Sequence, residues 1–261
     1  MGNELEGKVA IVTGAANGIG RAIAQVFVEE GARVVIADID DDAGAGMASE
    51  LGEATTFVHT DVSDADSVQA AIDHAQQRFG GLQVMVNNAG ISGSSRRLMQ
   101  DDLRDFDRVI AVDLYGVMVG TQRAARVMGP GGSIINITSI AGITPGAGFS
   151  TYRAAKAAVI HFSRSAAIEL GELGVRVNVI APGNISTAIN ATFYDTASVA
   201  RRIQPLPRIG GTRDVANTAV YLASERAAQV TGTVIPVDGG TTAGPPPVEY
   251  DDIKPQPEAD R

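Results

Sequence analysis

The sequence predicts a single α/β domain built on a doubly wound parallel sheet of seven strands, with helices on both faces. Short apolar runs rich in β-branched residues alternate with stretches in which apolar residues recur at helical spacing. The strand runs are continuously apolar, which is typical of parallel strands with both faces buried. The chain has 261 residues and is 44% hydrophobic, which is enough material for one large core.

The predicted elements follow from these two patterns. The predicted strands are Val9–Val12, Val34–Ala37, Thr56–Val58, Val84–Val86, Ile134–Ile137, Val175–Ile180 and Val234–Val237. The predicted helical stretches are Ile19–Phe27, Val68–Phe79, 102–128, 152–170 and 212–223. Gly31 ends the first helix, because glycine readily adopts the backbone conformation found after a helix terminus.

The charge and composition exclude several classes of partner. The net charge is −9 and the isoelectric point is about 4.8, so the surface should repel nucleic acid and anionic membranes. No uninterrupted apolar run approaches the ~20 residues that span a bilayer. The chain has no cysteine, which excludes disulfides and is compatible with a reducing cytoplasm. We therefore expect a soluble cytoplasmic protein without a nucleic-acid or membrane partner.

The composition shifts only near the C-terminus. Residues 244–261 contain five prolines and are mostly polar, so they have little to bury. We expect a folded domain at 1–243 and a tail at 244–261 that is mobile or docked on another subunit.

A glycine-rich turn follows the first predicted strand and opens the first helix. It reads Thr13-Gly-Ala-Ala-Asn-Gly-Ile-Gly20. Glycine lets the backbone approach a pyrophosphate closely, and a helix N-terminus offers free N–H groups to that anion. A plain strand–helix connection can have the same composition, but the strand-turn-helix context favours a dinucleotide site. The candidate cofactor residues of this turn are Gly14, Asn17, Gly18, Ile19 and Gly20.

Asp38 ends the second predicted strand, where a dinucleotide-binding unit places its ribose-binding acid. A carboxylate there can accept hydrogen bonds from the adenosine hydroxyls and would repel a 2′-phosphate. One such like-charge pair at ~4 Å costs about 4 kcal/mol at an effective dielectric near ~20, or about a thousandfold in affinity. The alternative is a solvated acid at a strand end. The position predicts NAD rather than NADP as the cofactor.

Tyr152 and Lys156 are four residues apart, which places them one turn apart on one face of a helix. A fixed ammonium at that distance stabilises a tyrosinate, and a tyrosinate can act as a general base. A tyrosine and a lysine four residues apart occur often by chance. The ordinary explanation for such a pair is packing at the protein surface.

Taken together, these motifs resemble those of the short-chain dehydrogenase/reductase family over about Leu5 to Gly240. The motifs that carry the resemblance are the glycine-rich turn, Asp61-Val62, Asn87-Asn-Ala-Gly90, Ser139, Tyr152-Arg-Ala-Ala-Lys156, Pro182-Gly183 with Thr187, and Val237-Asp-Gly-Gly240. The resemblance implies one Rossmann-type domain with strand order 3-2-1-4-5-6-7, assembled as a homotetramer or homodimer. The alanine-rich helix after Tyr152 would suit a subunit interface.

The resemblance also implies the reaction, which is hydride transfer between NAD(H) and a secondary alcohol or ketone, without a metal. Ser139 would hydrogen-bond the substrate oxygen and Tyr152 would exchange its proton. Lys156 would hold the nicotinamide ribose and stabilise the tyrosinate. The remaining implied cofactor contacts are Asp61, Val62, Asn88, Ala89, Gly90, Tyr152, Pro182, Gly183, Ile185 and Thr187.

One position departs from the family pattern. Asp113 stands where the family usually has asparagine, which is thought to organise a water that links the lysine to solvent. Aspartate can substitute if only the backbone carbonyl holds that water. If the side-chain amide matters, activity is impaired.

The substrate and two other functions stay open. Apolar residues near the motifs suggest a ring-like or aliphatic substrate: Ile140, Ile143, Phe149, Ile189, Phe193 and Tyr194. An epimerisation or dehydration on the same scaffold, or a cofactor-binding regulator without turnover, are the alternatives. Met118 and Met128 are expected to serve in packing.

Overall fold

The computed structural model describes residues 3–186, 203–206 and 208–245. The main strands are β1 (Val9–Thr13), β2 (Arg33–Asp38), β3 (Thr55–His59), β4 (Val84–Asn87), β5 (Ser133–Ile137), β6 (Arg176–Pro182) and β7 (Val234–Val237). The helices are α1 (Gly18–Glu29), α2 (Asp41–Leu51), α3 (Ala65–Phe79), α4 (Phe106–Ile110), α5 (Gly116–Ala125), α6 (Ser150–Gly171) and α7 (Thr212–Ala223). A π-helical turn, Ala111–Tyr115, joins α4 to α5.

The main strands form one seven-stranded parallel sheet in the order β3-β2-β1-β4-β5-β6-β7, which confirms the predicted fold class and strand order. Val12 of β1 lies beside Ile36 of β2 and Val86 of β4. Because all strands run the same way, their carboxyl ends meet at one edge of the sheet. A separate two-residue ladder pairs Ile185–Ser186 with Gly210–Gly211.

The sheet separates two apolar cores, since successive side chains of a strand point to opposite faces. In β1, Ala10 and Val12 pack under α1, α2 and α7, whereas Val9 and Ile11 pack under α3, α5 and α6. The continuous apolar runs of the sequence are thus divided between the two faces, as expected for a parallel sheet with helices on both sides.

The predicted helical stretch at 102–128 is shorter and less regular than expected. Leu103 has a φ of +54°, and the carboxylates of Asp101 and Asp102 accept hydrogen bonds from the two following backbone N–H groups. Such local aspartate turns compete with helix formation, so α4 begins only at Phe106. The helix ends at Ala125, before Gly129 and Pro130.

One helix, α2, was not identified from the sequence. Its residues Asp41–Leu51 include two glycines and give a weak helical pattern. The side chain of Asp40 caps the helix by accepting a hydrogen bond from Ala43 N. Gly44 lies against the ring of Phe57 in β3, where a larger residue would not fit. In the part of the chain that the structure describes, none of the helices has the length and hydropathy needed to cross a membrane.

Candidate active site

The glycine-rich turn after β1 and the segment after β4 form one hydrogen-bonded unit. The hydroxyl of Thr13 accepts hydrogen bonds from Asn88 N at 3.0 Å and Ala89 N at 3.1 Å. In return, the side-chain amide of Asn88 donates to Thr13 O at 2.9 Å and Gly14 O at 3.1 Å. A Cβ on Gly14 would lie 2.8 Å from Ala89 Cα, so this approach requires glycine. The Asn88 amide therefore shapes the turn from within the protein.

Space is left beside the N-terminus of α1. Gly18 is the first residue of the helix, has a φ of +58°, and a Cβ placed there would meet no atom within 4 Å. Asn17 precedes it and makes no side-chain capping hydrogen bond. The first N–H groups of α1 therefore face open space with the positive end of the helix dipole, which is the arrangement that binds a pyrophosphate.

Two carboxylates flank this turn at the ends of β2 and β3. Asp38 accepts hydrogen bonds from Ala16 N at 2.8 Å and Asp40 N at 3.0 Å, so it is held against the glycine-rich turn. Asp61 accepts from the hydroxyl and backbone N–H of Ser63, and these hydrogen bonds lower the pKa of the Asp61 carboxyl. Asp38 has the position, at the end of β2, at which a dinucleotide-binding unit carries its ribose-binding acid.

Val62, beside Asp61, serves mainly in packing. It is buried, and a Cβ on Gly116 of α5 would lie 2.9 Å from Val62 Cβ. The end of β3 is therefore fixed against α5.

The helix α6 carries Tyr152 and Lys156 one turn apart, as predicted. The Nζ atom of Lys156 lies 5.5 Å from the centre of the Tyr152 ring, and the lysine side chain is only 4% exposed. At that distance in a dry environment, an ammonium exerts a strong field on the phenol.

Ser139 is brought toward this pair by contacts that the sequence did not reveal. It follows β5 and caps a short turn, Ile140–Gly142, by accepting a hydrogen bond from Ala141 N. A Cβ on Gly142 would lie 2.7 Å from the carbonyl carbon of Lys156, so the turn rests on the backbone of α6. The Thr138 hydroxyl donates to Lys156 O at 2.8 Å. Thr138 is thus a positioning residue. The only sign of this in the sequence is its place as a polar residue at the end of an apolar strand.

Asp113 contacts Lys156 directly through its side chain. Its Oδ2 lies 2.9 Å from Lys156 Nζ, and its Oδ1 accepts a hydrogen bond from Ile91 N at 2.8 Å. A Cβ on Gly90 would lie 3.1 Å from that Nζ and 3.2 Å from Oδ2, so Gly90 leaves room for the pair. Asp113 itself is 0% exposed. The carboxylate and the ammonium form a buried ion pair at the junction of β4, the π-helical turn and α6.

The charge state of Lys156 follows from its surroundings. Burial alone lowers the pKa of a lysine, because the low-dielectric interior disfavours the charged form. The nearby Asp113 and Tyr152 oxygens, with the hydrogen bond to Asp113, outweigh that effect and raise the pKa of Lys156 above its ordinary value. Lys156 therefore stays an ammonium throughout the neutral range.

The segment after β6 closes the site on the side expected for the nicotinamide. Gly183 follows Pro182 and packs against Asp238. A Cβ on Gly183 would lie only 2.7 Å from Asp238 Cα. The Asp238 carboxylate accepts hydrogen bonds from Gly240 N and Thr242 N. Ile185 is 1% exposed and belongs to a hydrophobic core, and its N–H donates to Gly183 O at 2.9 Å. Thr187, Ile189, Phe193 and Tyr194 lie outside the described residues.

The structure thus gathers the described candidate residues at the carboxyl edge of the sheet. Comparison with known proteins agrees with this arrangement. A family model described as enoyl-(acyl carrier protein) reductase matches residues 14–242. Momilactone A synthase from Oryza sativa subsp. japonica is 42% identical over 248 residues, which cover 91% of this chain and 90% of that protein.

A second relative, the 2,5-dichloro-2,5-cyclohexadiene-1,4-diol dehydrogenase of Sphingobium indicum, is 39% identical over 250 residues, covering 94% of this chain and 100% of that protein. The solved structure of a short-chain type dehydrogenase/reductase from Mycobacterium ulcerans superimposes with a TM-score of 0.88 at 36% identity and covers 93% of each chain. The chain belongs to the short-chain dehydrogenase/reductase family. The expected oxidoreductase class, acting on an alcohol or ketone with a nicotinamide cofactor, is confirmed at that level.

Proposed function

We propose that this chain is an NAD-dependent dehydrogenase of secondary alcohols, with Tyr152 as the acid–base group. The observation that carries the proposal is the buried cluster in which Lys156 lies beside the Tyr152 ring and against the turn that presents Ser139. The open space at Gly18 and the two flanking carboxylates fit a dinucleotide. When bound, the nicotinamide supplies or accepts the hydride.

The side chains of the cluster carry the proton. In oxidation, the substrate hydroxyl gives its proton to the Tyr152 oxygen while its carbon loses hydride. The Ser139 hydroxyl holds the same substrate oxygen, and the Lys156 ammonium stabilises the tyrosinate that accepts the proton. In reduction, Tyr152 returns the proton to the carbonyl oxygen. In this mechanism Lys156 also holds the nicotinamide ribose. Its Nζ atom lies next to Gly90.

The substrate we propose is an apolar secondary alcohol, cyclic or aliphatic. Ile140, Ile143 and Phe149 lie in the segment that joins Ser139 to α6, and each is at least partly accessible. The diol in the name of the Sphingobium relative, a hydroxylated carbon ring, belongs to this class.

Turnover with a panel of secondary alcohols and ketones, followed by NADH absorbance, tests the proposal. We expect NADH to form from added alcohol and to disappear with the matching ketone. Product formation without net NADH would favour an epimerase or dehydratase. Tight NAD binding with no turnover of any member of the panel would favour the alternative of a cofactor-binding regulator without turnover.

Asp113 is proposed as a positioning residue that acts through Lys156. Its carboxylate compensates the ammonium beside Tyr152, so it weakens the stabilisation of the tyrosinate. Replacing Asp113 by Asn removes that compensation. Asp113 also keeps the buried Lys156 charged, so its removal favours the neutral amine. We therefore expect the rate profile to shift along the pH axis: to lower pH where the ammonium persists, and to higher pH where the amine becomes neutral and no longer stabilises the tyrosinate. The direction of the shift shows which effect of Asp113 is larger.

Rate–pH profiles of the wild type and the Asn variant with one alcohol decide this point. Asp107→Asn, an exposed aspartate in α4, is the matched control and should leave the profile in place. Superimposable profiles would remove any electrostatic role for Asp113. An inactive wild type restored by Asn would show that the aspartate disables the site.

We further propose that α5 and α6 form a subunit interface of a homodimer or homotetramer. An open, mainly apolar groove of about 500 Å³ runs between them, and its lining includes Tyr115, Met118, Phe162 and Leu170. Met118 is 42% exposed and so is not packed within one subunit, whereas Met128 is buried as expected. A second copy would cover these side chains.

Placing a charge in this groove tests the interface. We expect Met118→Glu to reduce the mass measured by light scattering after gel filtration, because a carboxylate would lose its water in a mainly apolar contact. Gln76→Glu, on the exposed face of α3, makes the same charge change and should leave the mass unaltered. A wild type that already runs as a monomer would contradict the proposal.

A further inference from the structure

The segment 143–149, called here the 143–149 loop, links the turn of Ser139 to the start of α6. Tyr152 follows the loop by three residues, and Ser139 precedes it by four. The loop therefore connects the two hydroxyls proposed to hold the substrate oxygen. The position of the loop accordingly bears on which substrates can be held.

Arg153, the residue after Tyr152, ties this loop to α6. Its Nε donates to Gly148 O at 3.0 Å and its NH1 donates to Thr144 O at 3.2 Å. A Cβ on Gly146 would lie 2.5 Å from the guanidinium nitrogen NH2, so the loop backbone lies flat against the arginine. One planar side chain thus hydrogen-bonds two separate carbonyls of the loop and packs against its backbone at Gly146, a geometry that the compact ammonium of a lysine does not reproduce.

The far end of the loop is fixed in an unfavourable conformation. Phe149 has φ 55° and ψ 38°, in the left-handed region that residues with a Cβ rarely adopt. Its N–H donates to Ser94 O at 3.1 Å, in the segment after β4. Its carbonyl accepts from Arg153 N at 2.9 Å. A strained backbone persists only where its surroundings hold it, and such positions concentrate at functional sites.

We propose that Arg153 is a positioning residue that fixes the 143–149 loop as the wall of the substrate cleft and thereby favours bulky cyclic alcohols over small ones. Its guanidinium is engaged by loop carbonyls, so it acts through the loop. Ile143 and Phe149 are the apolar side chains that the loop presents. The assignment of the loop as a substrate wall rests on the proposed dehydrogenase function.

Replacing Arg153 by Met keeps a long unbranched side chain and removes the donors. We expect KM for cyclohexanol to rise about tenfold, the effect of losing roughly one charge-assisted hydrogen bond. KM for 2-propanol, the turnover number for both alcohols and the Kd for NADH should change less than about twofold. Arg153→Lys, with a single donor head, should restore part of the KM for cyclohexanol.

A merely structural role would lower kcat/KM for both alcohols by the same factor, and that outcome would overturn the proposal. So would an unchanged KM for cyclohexanol. Arg164→Met, an exposed arginine on the same helix, is the matched control and should behave as the wild type.

Hydrogen exchange followed by mass spectrometry tests the loop without relying on activity. In Arg153→Met, amides of the 143–149 loop should exchange faster, while α1 stays protected as in the wild type. If the wild type oxidises neither alcohol, the dehydrogenase assignment fails, but the exchange result still decides whether Arg153 fixes the loop. Unchanged exchange in the loop would refute that function of Arg153.

Discussion

Tyr152→Phe is expected to lower turnover by at least about a thousandfold while NADH binding stays within about twofold. The substitution removes one hydroxyl and keeps the ring that lies 5.5 Å from Lys156 Nζ. Tyr152 is one proposed cofactor contact among many, and the others lie on other residues, so affinity should survive the loss of its hydroxyl. Steady-state oxidation of an alcohol and a fluorescence titration with NADH measure the two quantities separately.

The matched control is Tyr221→Phe on α7, a partly exposed tyrosine of the same chemistry. It should retain wild-type turnover. Substantial activity in Tyr152→Phe would mean that another group carries the proton. Loss of both turnover and NADH affinity would point to a collapsed site rather than a missing proton donor.

The second large effect concerns the cofactor. NAD is expected to bind about a thousandfold more tightly than NADP, because the Asp38 carboxylate would face a 2′-phosphate of the same sign. Asp38 is held in place by Ala16 N and Asp40 N, so it cannot simply turn away. Calorimetric titration of both dinucleotides measures the ratio, and equal affinities would end the argument.

Asp38→Asn sharpens this test, because asparagine keeps an oxygen that can accept from Ala16 N but carries no charge. The preference for NAD should shrink toward tenfold or less, an effect of about 2–3 kcal/mol. Asp40→Asn is the control, since the Asp40 side chain caps α2 through Ala43 N. It should leave the preference unchanged.

Most of the fold and the location of the site followed from local sequence patterns. A continuous apolar run specifies a strand buried on both faces, and alternation with helices specifies parallel strands. Once the strands are parallel, residues at their carboxyl ends must share one edge. This is why the glycine-rich turn and Asp38 could be placed together from the strand pattern, whereas Asn88 was placed there by the family resemblance. The helical spacing of Tyr152 and Lys156 likewise fixed their common face.

Local patterns failed where tertiary contact outweighs propensity. The glycines of α2 weaken its helical signal, yet Gly44 is needed for the close approach to Phe57. Asp101 and Asp102, before α4, form turns in which their carboxylates accept hydrogen bonds from nearby backbone N–H groups. The helical spacing of apolar residues in this stretch does not reveal these turns. Met118 has the spacing of a core residue, but it faces a groove that one subunit leaves open.

By itself, the sequence determined the parallel sheet, the glycine-rich turn followed by Asp38, and the common face of Tyr152 and Lys156, because each depends on local pattern and spacing along the chain. The strand order and the role of Ser139 were implied by the family resemblance. Only the tertiary structure decided which side chains meet. Asp113 reaches Lys156 from a π-helical turn far away in the chain, and Arg153 turns back onto the loop before it. Neither contact can be recognised from a periodic pattern in the sequence. Both depend on how α4, α5 and α6 pack on the sheet and on where that packing excludes water from a charge.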